Sequence, residues 1–192
     1  DNIANPLQSY VKVFPSFDNI HPFDRSIIDL TVGVDKLRKA LGAADWARKE
    51  VLMIGTKYVP KARARKSAEN TMKIMSEAYT KMTNVIRQIS KHLDFLISAR
   101  SIFRNLPNVN TDQPVAVFAG APNVGKSSLI RAISTGKPEV KSYPFTTKGV
   151  SLGHIKVKYD IIQVMDTPGL LDRPDIDRND MEKQGIAALD HL

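Results

Sequence analysis

A glycine-rich loop in the second half of the sequence restricts the possible folds more than any other feature. The run Gly120-Ala121-Pro122-Asn123-Val124-Gly125-Lys126-Ser127 has the spacing Gly-x-x-x-x-Gly-Lys-Ser. An apolar run, Val115–Ala119, precedes it, and the segment Ser127–Ile133 has helical periodicity. Glycines let consecutive backbone N–H groups face a phosphate, and the N-terminal end of the next helix adds positive charge. The pattern therefore predicts a strand, a phosphate-binding loop and a helix, which is the P-loop arrangement.

Two side chains of this loop and one downstream carboxylate suit a nucleotide with its metal. Lys126 can place a charge on the β- and γ-phosphates, and the Ser127 hydroxyl can ligate Mg²⁺. The run Asp166-Thr167-Pro168-Gly169 directly follows the apolar segment Ile161–Met165. Its first residue, Asp166, lies 40 residues after Lys126. P-loop folds hold Mg²⁺ with a carboxylate at this place, usually through water, and the Gly169 N–H can contact a γ-phosphate. We therefore expect Lys126, Ser127 and Asp166 to share one site.

A third motif, Ser142-Tyr143-Pro144-Phe145-Thr146-Thr147-Lys148, lies between the other two. A threonine between the P-loop and the second strand is where a GTPase closes its first switch over Mg²⁺ and the γ-phosphate. The alternative is that Thr146 and Thr147 simply begin a strand.

The remaining pattern of residues 112–192 is that of an α/β domain. Val150–Val157 and Ile161–Met165 read as strands joined by a tight turn at Lys158-Tyr159-Asp160, and Asn179–His191 reads as a helix. We predict the first half of a P-loop NTPase fold of the Ras-like G-domain type. The strand Val115–Ala119 should then be a sheet edge with poorly covered apolar faces.

Residues 1–111 have a helical pattern instead. An apolar heptad seam has spacings of three and four residues, and it is formed by Met72, Met75, Tyr79, Met82, Ile86, Ile89, Leu93 and Leu96. A second stretch runs from Leu37 to Tyr58, and a third, shorter one follows His21-Pro22-Phe23. Pro60 and the nearby basic run should break or kink the chain between the two longer helices. We favour a small antiparallel bundle of the three stretches over a dimeric coiled coil.

The net positive charge of the chain comes entirely from this first part. Through Thr111 there are 18 Lys and Arg against 10 Asp and Glu, whereas the remaining residues carry 10 of each. A basic cluster without an intervening acid is formed by Lys57, Lys61, Arg63, Arg65 and Lys66. Such a cluster can contact RNA phosphates, and the alternative is a solvated helix face.

Several classes of function have no support in the sequence. There is no cysteine, so disulfides, thiolate metal sites and cysteine nucleophiles are excluded. The longest apolar runs fall short of the ~18–20 residues that a membrane span needs, so we expect no membrane partner. The 4 histidines show no metal-ligand spacing.

Together these motifs resemble the nucleolar GTP-binding protein family, a group of Obg-related ribosome-assembly GTPases. The resemblance rests on Pro-Asn-Val-Gly-Lys-Ser-Ser, Tyr-Pro-Phe-Thr-Thr-Lys, Gly153-His154 and the run that begins at Asp166 and ends at Pro174. A looser similarity in the helical part comes from Phe14-Pro15 and His21-Pro22-Phe23-Asp24-Arg25. An archaeal-type member, truncated within the G domain, is the nearer likeness.

The resemblance implies a GTP-binding protein that hydrolyses GTP to GDP as a conformational switch in large ribosomal subunit assembly. It implies Mg²⁺ ligands at Ser127, Thr147 and Asp166, catalytic roles for Lys126, Thr147 and Gly169, and possible K⁺ binding at Asn123. The implied nucleotide contacts are Gly120, Ala121, Pro122, Asn123, Val124, Gly125, Lys126, Ser127, Ser128, Thr146, Thr147, Asp166, Thr167, Pro168 and Gly169.

The implied partners are a large-subunit precursor and its rRNA, contacted through the basic cluster. Such a protein would be a monomer off the ribosome, cytoplasmic in an archaeon and nucleolar in a eukaryote.

Two sequence features qualify this expectation. Leu170 stands where Ras-like GTPases place a glutamine that orients the attacking water, so intrinsic hydrolysis should be slow without K⁺ or a partner. No Asn-Lys-x-Asp motif for guanine occurs, and we expect weak nucleotide binding by this stretch alone. The alternatives are a structural rRNA-binding assembly factor with negligible turnover and a P-loop ATPase.

Overall fold

The computed structural model describes residues 2–14, 19–64, 67–121, 123–144, 149–167, 178 and 180–192. The chain divides into two compact units. The helical unit comprises Asp1–Ser16 and Asp35–Arg100, and the sheet unit comprises Phe17–Val34 and Ser101–Leu192. No helix in the described ranges is long and apolar enough to span a membrane.

The elements occur in an order that puts most helices first. The helices are α1 (Ala4–Val13), α2 (Pro22–Thr31), α3 (Val34–Arg63), α4 (Ala68–Gln88), α5 (Ser90–Asn105), α6 (Lys126–Ile133) and α7 (Asp180–Leu189). The strands are β1 (Val115–Phe118), β2 (Glu139–Lys141), β3 (Val150–Val157) and β4 (Asp160–Asp166).

The helical unit has a core built from several helices. Leu7 of α1, Ala47 of α3 and Ile89, between α4 and α5, are buried together. Ala43, Val85, Ile86 and Leu93 pack around them. Because the side chain of Ala47 is small, neighbouring helices can approach closely at this point. The prediction of an N-terminal helical bundle is confirmed.

The predicted heptad seam is not one continuous buried stripe. Helix α4 ends at Gln88, and the Ile89 N–H donates to the Ile86 carbonyl three residues back, which tightens the chain before α5 begins. Ile89 and Leu96 are buried, but Met72 is 70% exposed and Tyr79 is 56% exposed. The 10-residue α1 is less than half as long as the 21-residue α4, so it cannot cover a seam that runs along α4 and into α5.

The two longer helices are separate, as predicted, but the break does not lie at Pro60 itself. Helix α3 continues through Pro60 to Arg63. The proline removes one N–H, yet its own carbonyl still accepts a hydrogen bond from the Ala64 N–H at 3.0 Å. Helix α3 ends at Arg63, and α4 begins at Ala68.

The sheet unit contains a four-stranded sheet in the order β1-β4-β3-β2. Strands β1 and β4 are parallel, whereas β4–β3 and β3–β2 are antiparallel. The predicted strands and helices of this unit are confirmed, with ends that differ by at most two residues. Strand β2 was not predicted. The parallel pairing places Phe118 opposite Asp166, so the ends of β1 and β4 lie side by side.

Helix α2 belongs to the sheet unit, which corrects the predicted three-stretch bundle. Phe23 and Ile27 are buried with Tyr143, Met165 and residues of α7. Helix α2 packs directly against α7. The compact units therefore differ from the predicted ranges 1–111 and 112–192, because the apolar face of α2 is buried against α7.

The segment before β1 is attached to the sheet by a buried glutamine. Gln163 of β4 is fully buried. Its Oε1 accepts from the Asn110 N–H at 2.9 Å, and its Nε2 donates to the Asn110 carbonyl at 2.6 Å. Both polar ends of the amide are thus satisfied, as burial requires. This pair fixes the point at which the chain enters β1 and the loop beyond it.

Candidate functional site

The loop between β1 and α6 has the backbone conformation that the glycine spacing predicted. Gly120 has φ +148° and Gly125 has φ +92°, both of which disfavour an L side chain. Asn123 also adopts the left-handed region, with φ +63°. Gly125 immediately precedes α6, so the first free N–H groups of that helix lie at the loop. A helix N-terminus that follows such a loop is suited to binding an anion.

Lys126 and Ser127 are the first two residues of α6. The side chain of Lys126 contacts the loop, and the side chain of Ser127 contacts the end of β4. The Lys126 Nζ donates to the Gly120 carbonyl at 2.5 Å and to the Ala121 carbonyl at 2.8 Å. The Ser127 hydroxyl donates to Oδ2 of Asp166, the last residue of β4. The parallel pairing of β1 and β4 explains this contact, because it places Asp166 beside the end of the strand that leads into the loop. The structure therefore brings together the three residues that the sequence grouped.

The Asp166 side chain has capacity for a further ligand. Asp166 is 1% exposed, and within the described residues its Oδ1 has no hydrogen-bond partner. The buried Thr167 hydroxyl likewise has no hydrogen-bond partner among the described residues. A buried carboxylate oxygen without a partner is costly, and a hard cation with oxygen ligands would satisfy it. The chemistry of Ser127 and Asp166 thus fits Mg²⁺.

Other predicted contacts lie at the loop or outside the described residues. Ala121, Val124 and Ser128 are exposed around the loop and the start of α6. Pro122, Thr146, Thr147, Pro168 and Gly169 lie outside the described residues, as does Leu170. The roles assigned to Thr147 and Gly169 remain predictions.

Tyr143 is a residue of the site region that sequence reasoning missed. Its side chain is 3% exposed, and its hydroxyl donates to the Gly185 carbonyl of α7 at 3.3 Å. Burial raises the pKa of the Tyr143 hydroxyl above its ordinary value, so the group stays protonated and able to donate. The sequence signal was its place at the start of Tyr-Pro-Phe-Thr-Thr, ahead of both candidate threonines.

Gly153 and His154, for which the sequence suggested no role, anchor the far end of α6. The Ser134 hydroxyl accepts a hydrogen bond from the His154 N–H at 3.1 Å and donates one to the His154 carbonyl at 3.3 Å. The Thr135 N–H donates to the His154 carbonyl at 2.8 Å. A Cβ on Gly153 would lie 2.8 Å from the Ser134 Oγ. A side chain at this position would therefore require Ser134 to move, so glycine favours the close approach of the end of α6 to β3.

Three residues of the basic cluster are described by the structure. Lys57, Lys61 and Arg63 are exposed near the end of α3. The Lys61 Nζ lies 5.5 Å from the centre of the Tyr58 ring. Arg65 and Lys66 lie outside the described residues.

Comparison with known proteins identifies the family. The NOG1 N-terminal helical domain matches residues 1–110 of this chain. The chain belongs to the NOG1 family. A second family, described as 50S ribosome-binding GTPase, matches residues 115–191, so the sheet unit of this NOG1-family chain includes part of a GTPase domain. The resemblance drawn from the sequence motifs is thereby confirmed, as is the predicted fold class.

Individual relatives match the NOG1-family chain over its whole length. An uncharacterized protein of Methanocaldococcus jannaschii is 37% identical over 190 residues, which is 99% of this chain and 53% of that protein. Nucleolar GTP-binding protein 1 of Encephalitozoon cuniculi is 33% identical over 192 residues, covering 100% of this chain and 36% of that protein. The Saccharomyces cerevisiae protein of the same name is 30% identical over 192 residues, covering 100% of this chain and 30% of that protein. The chain thus spans about half of the archaeal relative and about a third of the eukaryotic ones.

Proposed function

We propose that this chain binds GTP with Mg²⁺ at the β1–α6 loop and hydrolyses it to GDP as a conformational switch. The observation that carries the proposal is the hydrogen bond from the Ser127 hydroxyl to Asp166, at the start of the helix whose Lys126 amino group contacts the loop carbonyl of Gly120. Our choice of guanine rather than adenine is supported only by the match to a GTPase family. The sequence itself contains no guanine-recognition motif.

Each residue has a definite part in this proposal. The loop N–H groups and the start of α6 bind the α- and β-phosphates, and Lys126 balances charge on the β- and γ-phosphates. Ser127 and Asp166 would hold Mg²⁺. The ion, when bound, neutralises negative charge on the β- and γ-phosphate oxygens.

In the reaction, the oxygen of a water molecule forms a bond to the γ-phosphorus, and the bond between the γ-phosphorus and the β–γ bridging oxygen breaks. The products are GDP and inorganic phosphate, and one proton is released. Thr147 and Gly169 are proposed to contact the metal and the γ-phosphate and to move away after hydrolysis. Leu170 cannot hydrogen-bond the attacking water, so we expect slow turnover by the protein alone. We propose that K⁺ held at Asn123, or a bound partner, accelerates it.

The proposed setting is assembly of the large ribosomal subunit. Support comes from the names of the relatives, from the 50S ribosome-binding GTPase match and from the exposed cations Lys57, Lys61 and Arg63. Each cation placed on an rRNA phosphate adds a salt-sensitive contribution to affinity. The protein would be a monomer off the ribosome, in the cytoplasm of an archaeon or the nucleolus of a eukaryote.

The proposal is tested by measuring GTP and ATP hydrolysis by the complete protein, in K⁺ or Na⁺, with and without large-subunit precursor particles. GTP turnover that is slow alone and rises with particles or K⁺ supports the switch. Preference for ATP would instead identify a P-loop ATPase.

A second candidate function, favoured by Leu170, is a structural rRNA-binding factor with negligible turnover. It would bind particles without hydrolysing GTP in any of these conditions. The Lys126→Ala variant also separates the two candidates. It should abolish assembly function if the protein is a GTPase switch, and it should leave that function intact if the protein is a structural factor.

A further inference from the structure

Helices α3 and α4 of the helical unit leave an apolar groove between them. The groove has a volume of about 380 Å³. Its least exposed lining residues are Tyr58 and Ala78, which form the floor. The walls are formed by Val59, Ala62, Ile74, Met75, Tyr79 and Met82. This volume falls within the range of about 300–1,000 Å³ that is typical of binding sites, so the groove can hold side chains of a partner.

The groove continues along the exposed face of α4. Met72, Met75 and Tyr79 are spaced three and four residues apart, so they lie on one face of the helix, and all three are exposed. This face extends as a shallower surface to Arg87. From Thr71 to Arg87 the helix rises about 24 Å. Exposed apolar patches of this kind mark interaction surfaces, and flexible methionines adapt their shape to a partner.

A polar contact between α3 and α4 fixes the floor of the groove. The Tyr58 hydroxyl donates to Oε1 of Glu77 at 2.5 Å, and it accepts a hydrogen bond from the Lys81 amino group. These contacts hold the two helices at a set spacing. A partner therefore meets a groove that is already formed, which lowers the cost of ordering on binding.

Positive charge stands at both ends of this surface. Arg63 lines the groove, and Arg87 lines its continuation along α4. The Thr71 hydroxyl lies 3.5 Å from the Ala62 carbonyl, so Arg63 is beside the start of α4, whereas Arg87 is near its end.

The acidic residues of α4 in this region are already paired within the helix. Glu69 pairs with Lys73 at 2.7 Å, and Glu77 pairs with Lys81 at 2.9 Å. The cation of Lys61, which lies over the Tyr58 ring, adds to the positive charge of the surface. A partner with complementary charge therefore carries acidic groups beside an apolar face.

These features fit a peptide helix better than RNA. Single-stranded RNA is bound through rows of cations and exposed aromatic rings, and among the described lining residues Tyr79 is the one exposed ring. An amphipathic helix instead places apolar side chains at i, i+3, i+4 and i+7 into such a groove.

We propose that the α3–α4 groove binds an amphipathic helix of a partner protein. The bound helix is about 16 residues long, which matches the 24 Å surface. Its apolar face contacts Met75 and Tyr79, and acidic residues near its two ends face Arg63 and Arg87. The groove lies wholly within the helical unit, so this inference does not depend on the proposed GTP hydrolysis.

The test uses the complete protein and two synthetic helical peptides of about 16 residues. One peptide has leucine at i, i+3, i+4 and i+7 and glutamate near both ends, and the other has lysine in place of each glutamate. Fluorescence anisotropy of the labelled peptides measures the dissociation constants. We expect the glutamate peptide to bind with a constant on the order of 10 μM and the lysine peptide to bind at least about tenfold more weakly.

Two methionine variants locate the site. Met75→Glu places a carboxylate in the groove and should weaken binding of the glutamate peptide at least about tenfold. Met53→Glu is the matched control, because Met53 is 54% exposed on α3 but does not line the groove. It should change the affinity less than about twofold. Melting temperatures show whether each variant is folded.

Arg63→Glu tests the charge preference and keeps the proposal falsifiable if Met75→Glu does not fold. It should weaken binding of the glutamate peptide and strengthen binding of the lysine peptide, a reversal that loss of folding cannot produce. A loss of affinity for both peptides in a folded Arg63→Glu variant would overturn the proposed recognition.

Four other results would also overturn the proposal. The first is no binding of the glutamate peptide at about 1 mM, and the second is equal binding of the two peptides. The third is an RNA that displaces the glutamate peptide and loses affinity in Met75→Glu but not in Met53→Glu, which would identify an RNA-binding surface. The fourth is self-association in sedimentation velocity that Met75→Glu abolishes, which would identify a second copy of the chain as the occupant.

Discussion

Replacing Gly153 by alanine should loosen the junction between α6 and β3. The new Cβ would lie 2.8 Å from the Ser134 Oγ and 3.1 Å from Cγ2 of Val164. Real Cβ atoms do not approach another heavy atom as closely as the first of these distances, so the Ser134 side chain has to rotate. Rotation would break its hydrogen bond with the His154 N–H, which is 3.1 Å long.

The cost can be assembled from these two effects. Crowding of a packed position costs about 1–3 kcal/mol, and the lower half of that range applies because a hydroxyl can rotate. Loss of one partly exposed hydrogen bond costs about 0.5–1.5 kcal/mol. We therefore expect about 2 kcal/mol, which corresponds to a roughly thirtyfold increase in the local opening equilibrium.

Amide hydrogen exchange measured on peptides that cover β3 and β4 reports this opening directly. Gly136→Ala is the matched control, since a Cβ there meets nothing within 4 Å. Gly153→Ala should accelerate exchange in both strands, and Gly136→Ala should leave it unchanged.

A double-mutant cycle with Ser134→Ala tests the mechanism itself. Removing the Ser134 hydroxyl eliminates the closest atom, so the two substitutions together should cost less than the sum of their separate costs by about 1 kcal/mol. Costs that add within about 0.5 kcal/mol would refute the steric reasoning, as would equal exchange in the two glycine variants.

Three further substitutions have clear expected outcomes. Ile27→Ala should destabilise the sheet unit by about 2–4 kcal/mol, seen as faster exchange in β3 and β4, because α2 packs in that core; unchanged exchange there would contradict this placement. Burial raises the pKa of Asp24 above 3.8, so its charged form destabilises the fold at pH 7. Asp24→Asn should therefore raise the melting temperature at pH 7, with the gain shrinking as pH falls towards 3.8 and wild-type Asp24 is protonated; the same gain at both pH values would refute the electrostatic cause. Lys126→Ala should weaken GTP binding by the complete protein at least about tenfold in a fluorescence titration, because the charge on the β- and γ-phosphates loses its partner; unaltered affinity would contradict its assigned role.

The parts of the fold that the sequence predicted well are those fixed by neighbouring residues. The loop from Gly120 to Ser127 follows from glycine conformations and helix-end geometry, both of which depend on a few consecutive positions. The β3–β4 hairpin follows from two strand-forming runs and a short turn. The contact of Ser127 with Asp166 was also predictable, because parallel strands of a P-loop fold bring those two positions to the same sheet edge.

The parts that were missed depend on contacts between distant residues. An apolar face on α2 fits a bundle or a sheet equally well, and only the contact with α7 decides between them. Strand β2 has 3 residues, too few for a periodic pattern. The role of Gly153 requires Ser134 to be known as its neighbour. Likewise, the seam of α4 showed which residues are apolar but could not show that α1 is too short to cover them.

The most direct test of the central claim is a calorimetric titration of the complete protein with GTP, with and without Mg²⁺, repeated with Ser127→Ala and with ATP. If Ser127 and Asp166 hold the metal beside the phosphates, removing Mg²⁺ should weaken GTP binding by the wild-type protein at least about tenfold. Ser127→Ala should bind GTP weakly whether or not Mg²⁺ is present, and ATP should bind much more weakly than GTP. A wild-type affinity that does not respond to Mg²⁺, or a Ser127→Ala variant that responds as the wild type does, would contradict the proposed site.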